Sequence, residues 1–215
     1  MTPTNVEYRV TSTSDISVNS ERKLSGMAAR YGVRAQLPDF QETIAQGAFK
    51  SILATKPDVV LLVDHSPSAV LGRTASGTLT LAETRDGLAF SCTLPNTQVA
   101  RDLHENVRLG NIAGMSFGFL SAPSDQSWQQ EGRTVVRTLK GFSMLRDISC
   151  CTFPAYPETS IAARFESVPV EVRAQAMRET GASAVEVEAA VNAWTQDQEF
   201  EWLVAATRRS AAVIF

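Results

Sequence analysis

The chain has 215 residues, 44% of them hydrophobic, which is enough for one substantial buried core. Its net charge of −3 and its scattered Lys and Arg residues argue against a protein that binds nucleic acid. No basic start followed by an apolar run predicts a signal peptide, and no apolar stretch approaches the ~20 residues of a membrane span. We therefore expect a soluble, cytoplasmic protein that binds neither nucleic acid nor a membrane.

The first third of the chain predicts β-strands interrupted by one short helix. Residues 6–10 alternate in polarity, and residues 23–28 continue the pattern with a glycine, Gly26, that is typical of a bulge. Residues 47–53 have apolar side chains at helical spacing and stop before a Lys-Pro pair. The apolar run at 58–63 is suited to a central strand.

The middle of the chain predicts an antiparallel strand pair followed by a helix. Residues 77–81 and 87–94 alternate on either side of a polar turn. Asn96 or Thr97 is a suitable N-cap for the helix, and Gly110 stands where a C′ glycine belongs. The predicted apolar stripe of this helix consists of Val99, Leu103 and Val107.

Three further strands are predicted before the regular structure ends. They cover residues 112–119, 134–140 and 142–152, and the two prolines within 153–157 end the pattern. Many short strands with few helical insertions favour an α+β fold, mainly a closed or nearly closed antiparallel β-barrel surrounded by short helices.

The composition changes from residue 165 onward. Residues 165–215 hold eight acidic against four basic residues, and they have apolar side chains at helical spacing. The residues that suggest one or two amphipathic helices are Val187, Val191, Trp194, Trp202 and Leu203. We therefore expect a β-barrel domain over 1–164 and an acidic helical C-terminal tail over 165–215.

The cysteines predict a reducing compartment. Cys92, Cys150 and Cys151 are odd in number, and the adjacent pair has no metal-ligand spacing. If the pair lies on a strand, the two side chains point to opposite faces, so packed and reduced thiols are expected. We predict no metal ion and no cofactor.

Residues 114–118 read Gly-Met-Ser-Phe-Gly, the G-x-S-x-G pattern of a nucleophile elbow. In α/β-hydrolases the catalytic histidine follows the serine along the chain, but His65 and His104 both precede Ser116. The order excludes that fold. Ser116 is then either a structural serine or the nucleophile of a serine hydrolase with another fold, and Gly114 and Gly118 would let a substrate backbone approach it.

A serine nucleophile needs an imidazole and usually a carboxylate that orients it. His65 follows the apolar strand at 58–63, where a base would be rigidly held, although a histidine in a surface loop is the alternative. His104 has charged neighbours and is expected on a solvated helix face. Asp147 lies within an apolar strand, where burial is costly unless it is paired. An ordinary salt bridge from Asp147 to Arg146 or Arg137 is the alternative.

Taken together, several blocks resemble the prohead, or capsid-maturation, proteases of tailed bacteriophages. The blocks are His65, Leu-Gly-Arg-Thr at 71–74, Gly-Thr-Leu at 77–79, residues 110–119 around Ser116, Asp-Ile-Ser at 147–149 and residues 152–157. Residues 24–28 and 44–49 also look like opening segments of that family. The resemblance covers roughly residues 20 to 164 in the right order.

The resemblance implies a serine endopeptidase with a fold similar to herpesvirus assemblin, whose triad runs His, Ser and a third member. It assigns His65 as general base, Ser116 as nucleophile and Asp147 as the third member, where the family more often has Glu. Ser66 stands where an Asp is expected, which suggests that this neighbour is dispensable. Oxyanion or substrate contacts are then expected from Gly114, Gly118, Ala155 and Tyr156.

The implied function is the cleavage of scaffolding segments of the major capsid protein, and of the protease itself, inside the assembling procapsid in the host cytoplasm. The acidic tail could bind capsid or scaffold, be removed by self-cleavage, or pack against the barrel. A homodimer is suggested by analogy with assemblin. Two other functions stay open: a non-enzymatic assembly or scaffold protein, and a small-molecule serine esterase.

Overall fold

The structure is a computed structural model that describes residues 6–11, 16–37, 39–152, 170–171, 174, 178 and 183–192. Strands dominate, and helices are few. The strands are β1 (Glu7–Thr11), β2 (Ser17–Val18), β3 (Lys23–Arg30), β4 (Ala35–Gln36), β5 (Gln41–Ile44), β6 (Val60–Val63), β7 (Val70–Arg73), β8 (Leu79–Glu83), β9 (Gly87–Thr93), β10 (Gly114–Leu120), β11 (Gln126–Glu131), β12 (Thr134–Leu139) and β13 (Met144–Cys151). Up to residue 152 the helices are α1 (Lys50–Ala54) and α2 (Gln98–Arg108), with a 3-10 turn at Pro123–Asp125, and residues 184–192 are also helical.

The strands form three sheets, so the α+β class is confirmed. The first sheet has the order β1-β10-β13-β6-β7, in which only the β13–β6 pair is parallel. The second has the order β2-β3-β9-β8, and the third β11-β12-β5-β4. No sheet closes on itself within the described part of the chain, because each has two edge strands, and the predicted closed barrel is not found there.

The described residues divide into two compact units. The first lies within 6–37, 42–127 and 137–152, and it contains the first and second sheets with α1 and α2. The second includes 39–41, 128–136 and the described residues from 170 onward. Within the second unit the rings of Phe40 and Trp128 meet edge to face at 5.0 Å.

The core of the first unit lies against one face of β10. Phe117 and Phe119 stack on each other at 4.9 Å between ring centroids, and Phe142 packs against Phe119 at 5.1 Å and against Phe49 at 4.6 Å. Burial of each ring stabilises the fold by roughly 1.5–3 kcal/mol. Since side chains alternate along a strand, packing Phe117 into the core places Ser116 on the opposite face of the sheet.

Helix α2 follows the predicted capping pattern, with one correction. The Thr97 side chain accepts a hydrogen bond from the backbone N–H of Ala100, and Gly110 has the positive φ of +77° that suits a C′ glycine. Val99 was assigned to the apolar stripe, but it is 37% exposed and Ala100 is buried in its place. The buried face of the helix therefore consists of Ala100, Leu103 and Val107.

Two further strand predictions need adjustment. The irregularity in β3 lies between Met27 and Ala29, whereas Gly26 pairs regularly with Phe90. The bulge is thus at Ala28, not at the glycine. The predicted helix at 47–53 is confirmed as α1 but begins three residues later, after a turn in which Gly47 has a φ of +84°.

The tail is described only in part. Residues 184–192 are helical, and Ser183 begins this helix with a capping box. The Ser183 hydroxyl accepts from the Glu186 N–H at 3.3 Å, while the Glu186 carboxylate accepts from the Ser183 N–H at 2.8 Å. Trp194, Trp202 and Leu203 lie outside the described residues, and the domain boundary at 164 stays a prediction.

No helix in the described ranges is long and apolar enough to cross a membrane.

A buried network of two arginines and two glutamates ties β1, β5 and β12 together. Glu42 accepts hydrogen bonds from Arg9 and, at 2.9 Å, from Arg137, and all three side chains are at most 8% exposed. Glu7 accepts from Arg137 at 2.6 and 2.8 Å and from Arg9 at 2.6 Å. Burial acts to raise the pKa of Glu7, but the two guanidinium groups outweigh it and the pKa is lowered.

We predict that Glu42→Ala lowers the free energy of unfolding by about 3–5 kcal/mol, because it leaves Arg9 and Arg137 buried with half of their counter-charge removed. Urea unfolding followed by circular dichroism measures the change. Asp58→Ala is the control, since Asp58 and Arg73 form an exposed pair whose loss should change stability little. Equal effects of the two substitutions would contradict the structural role of the network.

Candidate active site

Three neighbouring strands of the first sheet carry the polar residues predicted from the sequence. Ser116 lies in the middle of β10, and Asp147 lies on β13, the next strand of the sheet. On the other side of β13, β6 ends at Val63 and delivers His65 two residues later. Three segments that are far apart in the chain therefore meet at one face of the sheet.

The side chains of these residues form an unbroken hydrogen-bonded series. The Ser116 hydroxyl oxygen lies 2.6 Å from His65 Nε2, and His65 Nδ1 lies 2.5 Å from Asp147 Oδ2. A carboxylate only accepts hydrogen bonds, so the proton of the imidazole is on Nδ1 and donates to Asp147. Nε2 then presents its lone pair to the hydroxyl hydrogen of Ser116, the arrangement that a serine nucleophile requires.

Burial distinguishes the three side chains. Ser116 is 0% exposed and Asp147 is 3% exposed, whereas the His65 side chain is 22% exposed. A buried carboxylate is costly unless it is hydrogen-bonded, and Asp147 accepts from both His65 and the hydroxyl of Ser149. The alternative of a salt bridge from Asp147 to an arginine is not observed among the described residues, because Arg146 donates to the Tyr8 hydroxyl and Arg137 binds Glu7 and Glu42.

His65 stands in a strained turn that aims its ring at Ser116. Asp64 and His65 have φ values of +46° and +56°, and the N–H of Ser66 donates to the carbonyl of Val63, as in a type I′ turn. Such a conformation costs about 1–3 kcal/mol for each non-glycine residue, so surrounding contacts must hold it.

Hydrogen bonds from β13 hold this turn. The N–H of Asp64 donates to the carbonyl of Cys150, and the N–H of His65 donates to the Ser149 hydroxyl at 3.2 Å. The Asp64 carboxylate accepts from the N–H and the hydroxyl of Thr152 at 2.9 and 2.8 Å. The strained turn is therefore fixed to the same strand that carries Asp147.

Tyr8 covers the imidazole from the other side. Its ring meets the His65 ring edge to face, with 4.3 Å between the centroids, and its hydroxyl accepts from Arg146 at 3.1 Å. Arg146 is the extra residue of a bulge in β13, since Gly118 pairs with Asp147 whereas the next residue of β10 pairs with Leu145. The bulge lies beside Asp147, where a change in strand twist aims the carboxylate.

Gly118 is required by the crowding of this site. A Cβ atom at Gly118 would stand 2.6 Å from Asp147 Oδ1 and 2.8 Å from Tyr8 Cε1. The space beside this glycine is thus occupied by the carboxylate and the tyrosine ring. The sequence predicts that a substrate backbone can approach here, but the two side chains fill the space. Gly114 pairs with Cys151 at the start of β10.

The cysteines are free and buried, and this prediction is confirmed. Cys151 shares a face of β13 with Asp147, and its thiol donates to the carbonyl of Ser149 at 3.7 Å. Burial raises the pKa of Cys151 to about 12, and nearby Asp64 and Asp147 act in the same direction. The thiol therefore stays protonated and does not compete with Ser116 as a nucleophile.

Other candidates from the sequence lie elsewhere. His104 is on α2, and its Nε2 lies 3.0 Å from the carbonyl oxygen of Asn19. Ala155 and Tyr156, the expected oxyanion residues, lie outside the described residues. Ser149 and Tyr8 were not identified as site residues, although Ser149 follows Asp147 by two positions, the spacing that places two strand residues on one face.

Comparison with known proteins agrees with the resemblance seen in the sequence. The model of the caudovirus prohead serine protease family matches residues 7–172. The prohead protease of Enterobacteria phage HK97 is 35% identical over 125 residues, which are 57% of this chain and 52% of that protein. The chain thus matches about half the length of this relative. The solved structure of the bacteriophage T4 capsid assembly protease is 10% identical, with a TM-score of 0.45, and covers 68% of this chain and 97% of that chain.

We predict that Gly118→Ala destroys the alignment of the site. The added methyl group must displace the Asp147 carboxylate or the Tyr8 ring, so the hydrogen bond from His65 to Asp147 is lost or lengthened. We expect the rate of hydrolysis at Ser116 to fall about 100-fold. The melting temperature should fall as well. Gly77→Ala is the control, because a Cβ there meets no atom within 4 Å, although its φ of +72° costs some stability. Full activity of Gly118→Ala would show that the close contacts do not constrain the site.

Proposed function

Because the chain belongs to the caudovirus prohead serine protease family, we propose that it is a serine endopeptidase of capsid maturation with His65, Ser116 and Asp147 as its catalytic residues. The observation that carries this proposal is the hydrogen-bonded series of 2.6 and 2.5 Å through the two nitrogens of His65. Family membership supports the class of reaction. The geometry supports the role of each side chain.

In the first step, Ser116 attacks the carbonyl carbon of the scissile peptide bond while His65 Nε2 accepts the hydroxyl proton. The resulting imidazolium is stabilised by the carboxylate of Asp147, which accepts from Nδ1 throughout. His65 then gives the proton to the leaving amine, and an acyl-enzyme on Ser116 remains. A water molecule, activated by the same imidazole, releases the acid product and restores the hydroxyl.

The oxyanion of each tetrahedral intermediate needs backbone N–H donors. We propose that they come from the segment after β13, around Ala155 and Tyr156, which begins at Thr152. The contacts of Thr152 with Asp64 support this assignment, because they fix the start of that segment to the turn that carries His65. Gly114 remains a candidate for substrate contact, whereas the space beside Gly118 is filled by the Asp147 carboxylate and the Tyr8 ring.

The proposed substrates are scaffolding segments of the cognate major capsid protein and the protease chain itself. The site of action is the interior of the assembling procapsid in the bacterial host. The name of the HK97 relative, a prohead protease, supports this choice. A fold similar to assemblin and a homodimer belong to the same proposal and rest on the sequence resemblance.

The domain organisation is likewise a proposal. Residues 1–164 would form the protease domain, and residues 165–215 would form an acidic helical tail that binds capsid or scaffold, or is removed by self-cleavage. The capped helix at 184–192 and the excess of acidic residues support a helical, charged tail.

We predict that Ser116→Ala abolishes processing when the cognate major capsid protein is co-expressed. Removal of a triad nucleophile lowers the turnover number by at least about 10³-fold, because no other group can form the acyl-enzyme. Gel electrophoresis of the capsid protein and the intact mass of the protease chain report cleavage in trans and self-cleavage.

Ser66→Ala is the matched control for this experiment. It removes a hydroxyl from the residue after His65, and that hydroxyl lies 2.9 Å from the hydroxyl of exposed Ser68. Processing by this variant should equal that of the wild type. Unchanged processing by Ser116→Ala would overturn the serine mechanism, and a wild type that leaves capsid protein intact would overturn the proposed substrate.

A further inference from the structure

Ser149 is buried at the centre of the site, on the same face of β13 as Asp147. Its residue is 0% exposed. In the sheet it stands directly opposite Ser116 on β10 and opposite Leu62 on β6, the strand that leads to His65. Ser149 is therefore the residue of β13 that lies between the strands of the nucleophile and of the base.

The hydroxyl of Ser149 contacts both partners of the Asp147–His65 pair. Its oxygen lies 3.0 Å from Asp147 Oδ2, 3.2 Å from the backbone nitrogen of His65 and 3.2 Å from His65 Nδ1. A carboxylate can only accept, so the single hydroxyl hydrogen donates to Asp147. The lone pairs of the same oxygen then accept the N–H of His65. One hydroxyl thus connects the carboxylate to the backbone of the histidine.

This connection acts where the backbone is strained. His65 has a φ of +56°, a conformation that costs about 1–3 kcal/mol and persists only when surrounding contacts enforce it. The bond from the His65 N–H to Ser149 is one such contact. The Ser149 hydroxyl also holds Oδ2, the oxygen that accepts from His65 Nδ1, in a fixed position.

We infer that Ser149 is a positioning residue of the protease site, which sets the distance and angle between Asp147 and the imidazole of His65. This inference rests on the proposed function. Without the hydroxyl, the carboxylate loses one of its two hydrogen-bond donors, and the backbone N–H of His65 loses its acceptor. The histidine ring can then leave the line that joins Ser116 to Asp147.

A purely structural role for Ser149 would give a different result, and Ser121 offers a matched comparison. Ser121 is also a 0% exposed serine of the first unit, and its hydroxyl donates to the carbonyl of Gly141 at 2.8 Å. This bond involves none of the three catalytic side chains. Ser121→Ala therefore removes a comparable buried hydrogen bond without touching the site.

The test measures kcat and KM of the full-length chain on the purified cognate major capsid protein, together with the melting temperature of each variant. For Ser149→Ala we expect kcat to fall about 10- to 100-fold with KM changed less than about threefold, because alignment and not binding is lost. Ser121→Ala should lose a similar amount of thermal stability and keep the wild-type kcat. Ser149→Thr, which keeps a hydroxyl, should recover most of the loss in kcat.

Other results for the Ser149 variants would overturn the positioning role. If Ser149→Ala keeps the kcat of Ser121→Ala, or if a folded Ser149→Thr is no better than Ser149→Ala, the positioning role is overturned while the proposed protease stands. If Ser149→Ala does not fold, Ser149→Cys, which keeps nearly the same volume but is a weak donor, takes its place with the same expected loss. A wild type without activity would overturn the proposed function and the inference with it.

Discussion

The site depends on the register of β13 between its two neighbours. Ser149 stands opposite Ser116 on the antiparallel side, and on the parallel side the strand pairs with β6, which ends just before His65. A shift of one residue in either pairing would turn Asp147 to the opposite face of the sheet. The hydrogen-bond ladder of one strand thus fixes which three side chains meet.

Packing on both faces enforces that register. On the core face, the stacked rings around Phe117 allow β10 only one orientation, and this orientation presents Ser116 to the other face. On the site face, the Tyr8 ring and the Asp147 carboxylate fill the space beside Gly118. Hydrogen bonds from β13 then hold the strained turn at His65 in a fixed position relative to the sheet.

The sequence predicts the elements that have strong local signals, but it does not predict the features that depend on which strands pair. The caps of α2 at Thr97 and Gly110 follow from local chemistry, and the structure has both. Motif, chain order and polarity make His65, Ser116 and Asp147 candidates, the family resemblance assigns their roles, and the structure brings the three side chains together. A closed barrel is not found among the described strands, because alternation predicts strands and not their partners. The positive φ of His65 and the contacts of Ser149 arise only when β13 pairs with β6, and no local pattern encodes that pairing.

An alkyl fluorophosphonate can show whether Ser116 is a nucleophile activated by His65. Such a reagent forms a covalent bond with an activated serine hydroxyl, and peptide mapping by mass spectrometry identifies the residue that carries it. We expect one adduct per chain, on Ser116, in the wild type and no adduct in His65→Ala. A chain that cleaves capsid protein but carries no adduct on Ser116, or His65→Ala labelled as fast as the wild type, would contradict it.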